Sequence, residues 1–413
     1  MEESYDDPNT DWPSLIAEVL KKQIRDPALP SVVCLSRDQF DHDVNELRIR
    51  AREFNWLKLP AVVWYRPQTR WMTKEMAGQA SYGACVGPLF EHRWAKAEEF
   101  AALLLEKLRR HVRLAAIISA AFDYGFEEGL RRACAKSGIP FLVLYREVGI
   151  LPRHWESNKN YYKTYTLRPD VKGIAVGGRS ASEELIENRV FPSEKVFITG
   201  FPRLDPWVDR LQNPVADAAR DGIVFLSYAD QGYLGGESFR EMLLIFASCA
   251  ERHLASGVRF IVKCKHIADR EDVRKLLPPG AERFLDLSIE PVSLVAPRAR
   301  VVIGYNSLAL LESLLAPVRI LVPQWGDARR PRDDQTFWRE DPEHRKHICF
   351  LFDREHFEAE IEAAVDGTVD LDFDMPARIG LLQQYLDFSP GEYATVRLEQ
   401  FVRRNLTDYL PPR

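Results

Sequence analysis

Residues 299–324 read ARVVIGYNSLALLESLLAPVRILVPQ. A β-branched run, ARVVIGY (299–305), leads into the polar pair Asn306-Ser307, an apolar helical stretch over Leu308–Leu315, and a second apolar run, RILVPQ (319–324). Neither run alternates between polar and apolar residues. Continuous apolar strands belong to parallel sheets covered on both faces. Asn306 or Ser307 is suited to cap the helix, and a helix start offers free amides and the positive end of a dipole to an anion. Glu312 lies five residues past Ser307, too far for a capping box with either residue. It is left to hold ribose hydroxyls, with Tyr305, Asn306 and Ser307 lining the same turn.

The same rhythm extends outward. PSVVCLS (30–36), PAVVWY (60–65), LAAIIS (114–119), PFLVLY (140–145), GIAVGG (173–178), KVFITG (195–200), GIVFLS (222–227) and VRFIVKC (258–264) read as further strands. Helix-like segments such as Glu98–Arg110, Gly125–Ser137 and Ser238–Ser256 lie between them. Alternation of this kind predicts an α/β protein with parallel sheets. Ten strands divide better into two sheets than into one. The rhythm breaks at Pro202–Gly222, so the reading is two Rossmann-like domains, 1–205 and 206–380.

Composition narrows the classes. The chain has 413 residues, 46% hydrophobic and 28% charged, with a formal net charge of −5. This is a globular balance without the basic excess that nucleic acid requires. One basic stretch, KLRRHVRL (107–114), is suited either to solvent or to an anionic membrane surface. No apolar run is long enough to span a bilayer, and the acidic, polar start (MEESYDDPNTDW) is unlike a secretory signal. The six cysteines are far apart, without a CxxC pair, which argues against a zinc site and against a disulfide framework. A cytoplasmic protein, in peripheral contact with the inner membrane at most, is the expectation.

Ligands of open α/β sheets bind beyond the carboxyl ends of strands. After PFLVLY come Arg146-Glu147, then Arg153, a carboxylate among arginines suited to acid/base work or acceptor binding. Arg179–Glu184, after GIAVGG, reads as a capped helix start with acidic residues in its first turn, a structural feature. Arg203, after KVFITG, serves the turn or an anion. After GIVFLS come Asp230-Gln231-Gly232, where the aspartate is either an Asx-turn residue or a base, nucleophile or sugar ligand. After VRFIVKC the run Lys263-Cys264-Lys265-His266 puts the two lysines on one strand face and releases His266, a set suited to a nucleotide phosphate. The pair Asp333-Asp334, in a charged loop, reads as an ion-pairing element.

Together these segments resemble GT-B glycosyltransferases of bacterial surface polymers. GIAVGGRSASEELIENRVFPSEKVFITGFPRLD is similar to the segment joining their two halves, and VVIGYNSLALLESLLAPVRILVPQWG to their nucleotide-binding strand–loop–helix. The resemblance covers roughly residues 110–350. It implies two Rossmann-like domains facing a central cleft, with 381–413 returning onto the N-terminal domain. Glu147–Arg153 looks like the Glu-x-Gly segment of the capsule-type retaining β-Kdo transferases, and Lys263–His266 like their Lys-Pro-His-Pro segment. Cys264 and Ile267 stand where prolines are usual.

By this resemblance the donor is CMP-Kdo and the acceptor an oligosaccharide or lipid-linked glycan of lipopolysaccharide or capsule. Asp230 is implied as nucleophile, Glu147 as acid/base and His266 as phosphate ligand. Lys263, Lys265, Gln231, Gly232, Arg203 and the Tyr305–Ser307 turn with Glu312 are implied at the donor, and Arg146 and Arg153 at the acceptor. No cofactor and no obligatory metal is expected, because CMP carries no pyrophosphate for an ion to bridge. The competing readings are a CDP-glycerol glycerophosphotransferase, a sugar-nucleotide epimerase using strand-end carboxylates such as Asp123, and a non-catalytic module of the same fold.

Overall fold

The structure, a computed structural model, describes residues 10–36, 40–73, 87–122, 124–145, 151–162, 170–213, 220–228 and 236–406. It forms two compact units. The first comprises residues 1–148, 159–205 and 392–413, and the second 149–158 and 206–391.

The first unit is built on six strands: β1 (Ser31–Ser36), β2 (Asn55–Pro60), β3 (Leu114–Ser119), β4 (Phe141–Tyr145), β5 (Val171–Val176) and β6 (Val196–Ile198). They lie in the order β2-β1-β3-β4-β5-β6, every pair parallel. β1 and β4 are buried at every position, the consequence of helices on both faces. Val33, Leu57, Ile117, Phe141, Val143 and Ile174 form the centre of the core.

The run 60–65 is not a strand. Residues 61–65 (AVVWY) form a helical turn after Pro60, and NWLKLP (55–60) is the strand, in register with β1 from Ser31↔Asn55 to Ser36↔Pro60. β-branched residues favour strands only where a neighbour and a packing face await them. Here Val62 is exposed, while Trp64 is buried and donates from Nε1 to the Phe126 carbonyl at 2.9 Å.

The second unit also has six parallel strands: β7 (Gly222–Leu226), β8 (Arg259–Lys263), β9 (Asp286–Ser288), β10 (Ala299–Ile303), β11 (Arg319–Pro323) and β12 (Ile348–Leu351). Their order, β12-β11-β10-β7-β8-β9, is the 3-2-1-4-5-6 arrangement of a Rossmann sheet read from its other edge. β9 and β12, the two edges, are short and escape the sequence reading.

Two boundaries differ from the expected ones. Residues 149–158 group with the second unit, where Arg153 pairs with Asp334 at 2.8 Å. The C-terminal return starts at Glu392 rather than 381. Residues past 381 stay because Leu382, Leu386 and Phe388 are buried and the Tyr385 hydroxyl donates to the Thr336 carbonyl at 2.8 Å, while Arg378 anchors the helix leading into them. Its guanidinium is fully buried in the second unit, donates to the carbonyls of Ala316 (2.8 Å) and Val318 (2.9 Å), and lies over the Phe373 ring. Burial without a carboxylate partner lowers its pKa to about 9. In the first unit, Asp205 receives the return. Its carboxylate accepts from the amides of Ala394 (2.7 Å) and Thr395 (3.0 Å) and so satisfies the start of the helix Ala394–Arg404.

Candidate functional site

In a sheet of this order the strand sequence reverses between β7 and β10, and a crevice opens beyond their carboxyl ends. Register fixes which residues meet there. Leu226 at the end of β7 pairs with Lys263 at the end of β8, and Ile303 at the end of β10 pairs with Phe225. The segments after β7, β8 and β10 therefore leave the sheet side by side. Gly304 keeps them close: a Cβ there would lie 3.0 Å from both Leu226 and Leu310 side chains.

The run after β8 is arranged by a residue that the sequence reading passed over. Asp269, in the first turn of the helix Ile267–Leu276, is buried. Its Oδ1 accepts from the Ser227 hydroxyl at 3.0 Å, and its Oδ2 from the Lys265 amide at 2.6 Å. Its own amide donates to His266 Nδ1 at 3.1 Å, making His266 the helix cap. A backbone N–H is only a donor, so Nδ1 of the neutral ring is an acceptor and its proton sits on Nε2. One carboxylate thus ties the end of β7 to the turn after β8, and the same residue sets the histidine tautomer. An aspartate three residues past a capping position was the available signal.

Lys263 and Lys265 do not share a face. β8 ends at Lys263, so strand alternation does not reach Lys265. Lys265 and His266 are exposed, whereas Lys263 is buried and donates from Nζ to the Cys264 carbonyl. Burial pushes the Lys263 pKa down, against the pull of Cys264, Glu312 and Asp269.

After β10, Ser307 caps the short helix Leu308–Glu312, accepting from the Leu310 amide at 3.1 Å. Asn306 does not cap. Its Nδ2 donates to the Asp334 carbonyl at 2.6 Å and its Oδ1 accepts from the Thr336 amide at 2.8 Å, which staples the charged loop beside the turn. Arg153, expected on the acceptor side, pairs with the Asp334 side chain of this loop from the helix Pro152–Tyr162. Asp334 has the ion-pairing role read for it from sequence. Tyr305 is fully buried, with its hydroxyl donating to the Ala328 carbonyl at 2.6 Å. It is a packing residue beneath the turn, in ring contact with Tyr228. Glu312 is the last residue of the helix and half-buried.

Arg203 lies in the first unit, where its guanidinium is 3.4 Å from the buried Asp43 carboxylate and stands over Phe201. Asp230, Gln231, Gly232, Arg146, Glu147 and Asp123 lie outside the described residues. A second feature unread in the sequence is Asp327, after Gly326 with its positive φ of 55°. It accepts from the Ser238 amide at 3.0 Å and from the Ser238 hydroxyl, so the start of the helix Gly236–Arg252 already has a carboxylate from the chain itself.

The arrangement places Lys265 and His266, with its proton on Nε2, after β8 and the helix-capping Ser307 hydroxyl after β10, two strand ends separated by β7. Donors of this kind offset charge on a phosphate.

Twin parallel sheets, the second in Rossmann order, make this a GT-B-type fold. No family model matches the chain, and no curated protein matches it by sequence. Among solved structures it is similar to a Listeria monocytogenes protein assigned by name as a UDP-N-acetylglucosamine 2-epimerase, at 12% identity and a TM-score of 0.51, covering 94% of this chain and 99% of that one. It is also similar to the wall teichoic acid polymerase TagF, in a structure soaked with CDPG, at 9% identity and a TM-score of 0.50, covering 97% of this chain and 94% of that one. Likeness at this level establishes the fold. Among the described residues, no helix is long and apolar enough to cross a membrane.

Proposed function

We propose that the protein is a nucleotide-sugar-dependent glycosyltransferase that moves Kdo from CMP-Kdo onto a bacterial polysaccharide or glycolipid, with retention of configuration. The observation that carries the donor side is the group at the ends of β8 and β10. His266 with its Nε2–H and Lys265 follow β8, one strand from the reversal point between β7 and β10, and Ser307 starts the helix after β10. The choice of Kdo rests on the resemblance of Glu147–Arg153 and Lys263–His266 to the retaining β-Kdo transferases.

In this reading the Asp230 carboxylate attacks the anomeric carbon, the bond to the CMP phosphate breaks, and His266 and Lys265 offset the charge of the departing CMP. Glu147 then takes the proton of the acceptor hydroxyl as that oxygen displaces Asp230. The likeness to TagF supports a second reading, transfer of glycerol phosphate from CDP-glycerol. The likeness to the epimerase supports a third, isomerisation of a UDP-sugar.

One assay separates them. The pure protein is incubated with CMP-Kdo, CDP-glycerol or UDP-N-acetylglucosamine, each with and without acceptor glycans, and products are read by mass spectrometry. CMP release from CMP-Kdo, with a Kdo adduct mapping to Asp230, is expected. CMP release from CDP-glycerol alone, or isomerised UDP-sugar without free UDP, would replace the proposal by the second or third reading.

A further inference from the structure

Cys349, His356 and Glu360 lie at the edge of the second sheet, on the flank where β11 and β12 begin and away from the strand ends described above. Cys349 is the second residue of β12, while His356 and Glu360 sit one turn apart on the helix Arg354–Asp366. Sγ of Cys349 is 3.9 Å from His356 Nε2 and 3.5 Å from Glu360 Oε1, and those two atoms are 3.8 Å apart. Three unlike donor atoms thus form one small triangle, offering a soft sulfur, a borderline nitrogen and a hard oxygen.

A tetrahedral zinc ion has bonds of about 2.3 Å to sulfur, ~2.0–2.1 Å to nitrogen and ~2.0–2.2 Å to carboxylate oxygen, which puts its ligand atoms roughly 3.4–3.6 Å apart. The sulfur–oxygen edge fits, and the sulfur–nitrogen and nitrogen–oxygen edges exceed their tetrahedral values by roughly 0.3 and 0.4 Å, within reach of small side-chain adjustments. The carboxylate is also held from behind. Arg319, the first residue of β11, donates from Nε to Glu360 Oε2 at 2.6 Å and from Nη2 to Oε1 at 2.7 Å. A carboxylate has about four acceptor positions, so the arginine fork uses two and leaves Oε1 able to face the sulfur and the imidazole. Hydrogen-bonded support of this kind commonly orients a metal-ligating carboxylate. All three residues are only partly buried, so an ion can reach them from solvent.

We propose that Cys349, His356 and Glu360 are a binding site for one zinc-type divalent ion, with water as fourth ligand and Arg319 orienting the carboxylate. On binding, the thiol loses its proton to solvent and the thiolate, the neutral imidazole and the carboxylate each form one bond to the metal. The ion pins β12 to the helix that covers it. The proposal departs from the expectation, drawn from cysteine spacing alone, that the chain has no zinc site.

The test is titration of tag-free, metal-stripped protein with Co²⁺ and then Zn²⁺. One Co²⁺ per chain is expected, with a thiolate-to-cobalt charge-transfer band that one equivalent of Zn²⁺ removes. The thermal midpoint should rise with Zn²⁺ concentration. Cys349→Ser, matched to the wild type by circular dichroism, should lose the band and the Zn²⁺-dependent rise. His356→Gln should weaken zinc binding by roughly 100-fold or more. Absence of the band in the wild type would overturn the proposal and leave Arg319–Glu360 as an ion pair only. An equal band in Cys349→Ser would overturn it too, by assigning the thiolate to another cysteine. Neither result bears on the transferase reading, since none of these residues touches the donor group.

Discussion

Replacing Asp269 isolates the device that holds the donor-side turn. The carboxylate accepts from the Ser227 hydroxyl and the Lys265 amide inside a buried pocket. Asp269→Ala removes both acceptors and strands two donors, at about 1–3 kcal/mol for each one left unsatisfied. A backbone amide cannot turn away, so the Lys265 loss falls in full on that turn. Asp269→Asn is different. Its oxygen can still accept from Lys265, and its amide can donate to the Ser227 hydroxyl, which rotates to receive it. The asparagine gives up only charge assistance, about 1 kcal/mol. Hydrogen exchange of peptides covering 258–268 reads this locally, without requiring the two units to unfold together. Exchange at Lys265 should quicken about 5- to 150-fold in Asp269→Ala and at most about 5-fold in Asp269→Asn, taking ~1.4 kcal/mol per factor of ten. Equal exchange in wild type and Asp269→Ala would refute the claim that this carboxylate organises the turn.

Other outcomes follow from the same geometry. His266→Asn keeps an acceptor for the Asp269 amide and lacks the outward Nε2–H, so it should retain thermal stability while turnover with the active donor drops by about 10²-fold; wild-type turnover would reduce His266 to a helix cap. Ser307→Ala removes the cap of Leu308–Glu312 and should cost about 1 kcal/mol. It should also weaken CMP binding by calorimetry, and unchanged affinity would detach that turn from the nucleotide. Asp205 supplies a pH signature. Burial raises its pKa to about 6 from the ordinary 3.8, against the pull of Thr395, Ala394 and Arg50. Between those values the folded state binds more protons than the unfolded, so stability falls as pH rises, by on the order of 3 kcal/mol, and levels off above about pH 6. Asp205→Asn should lack this component, and thermal midpoints at pH 4.5 and 7 should therefore differ less in the variant. An unchanged difference would assign the slope to other groups.

Much of the fold was legible because parallel strands covered on both faces read as continuous apolar runs. Nine of the ten runs are strands. The failure at 60–65 has a plain cause. NWLKLP alternates and carries Lys58, so it reads more weakly than AVVWY, yet only NWLKLP has β1 beside it, and Lys58 reaches an ion pair with Asp41 at 2.8 Å. β9 and β12 have three and four residues and a single neighbour each, too little periodicity to stand out. The domain return was placed too early because a contact that keeps residues past 381 in the second unit, the Tyr385 hydroxyl on the Thr336 carbonyl, links positions forty-nine apart.

Site legibility divides along the same line between what a strand end dictates and what packing decides. Ser307 could be read because a cap is a local event, settled within three residues. Asp269 could not, since its significance lies in Ser227, forty-two positions away, and appears only when β7 and β8 are neighbours. Tyr305 shows the reverse error. Its place after a strand suggested a ligand contact, but the ring is buried and its hydroxyl donates to the Ala328 carbonyl. Position after a strand therefore nominates a residue, and the direction of its side chain decides. By that criterion the proposal keeps Lys265, His266 and Ser307 as donor-side groups, while the Lys263 ammonium and the Tyr305 hydroxyl are turned to the backbone carbonyls of Cys264 and Ala328, and Arg203 lies over Phe201 beside Asp43. A comparison of His266→Asn with Tyr305→Phe tests the division: the first should lose turnover at wild-type stability, and the second should lose stability with its remaining folded fraction at wild-type turnover.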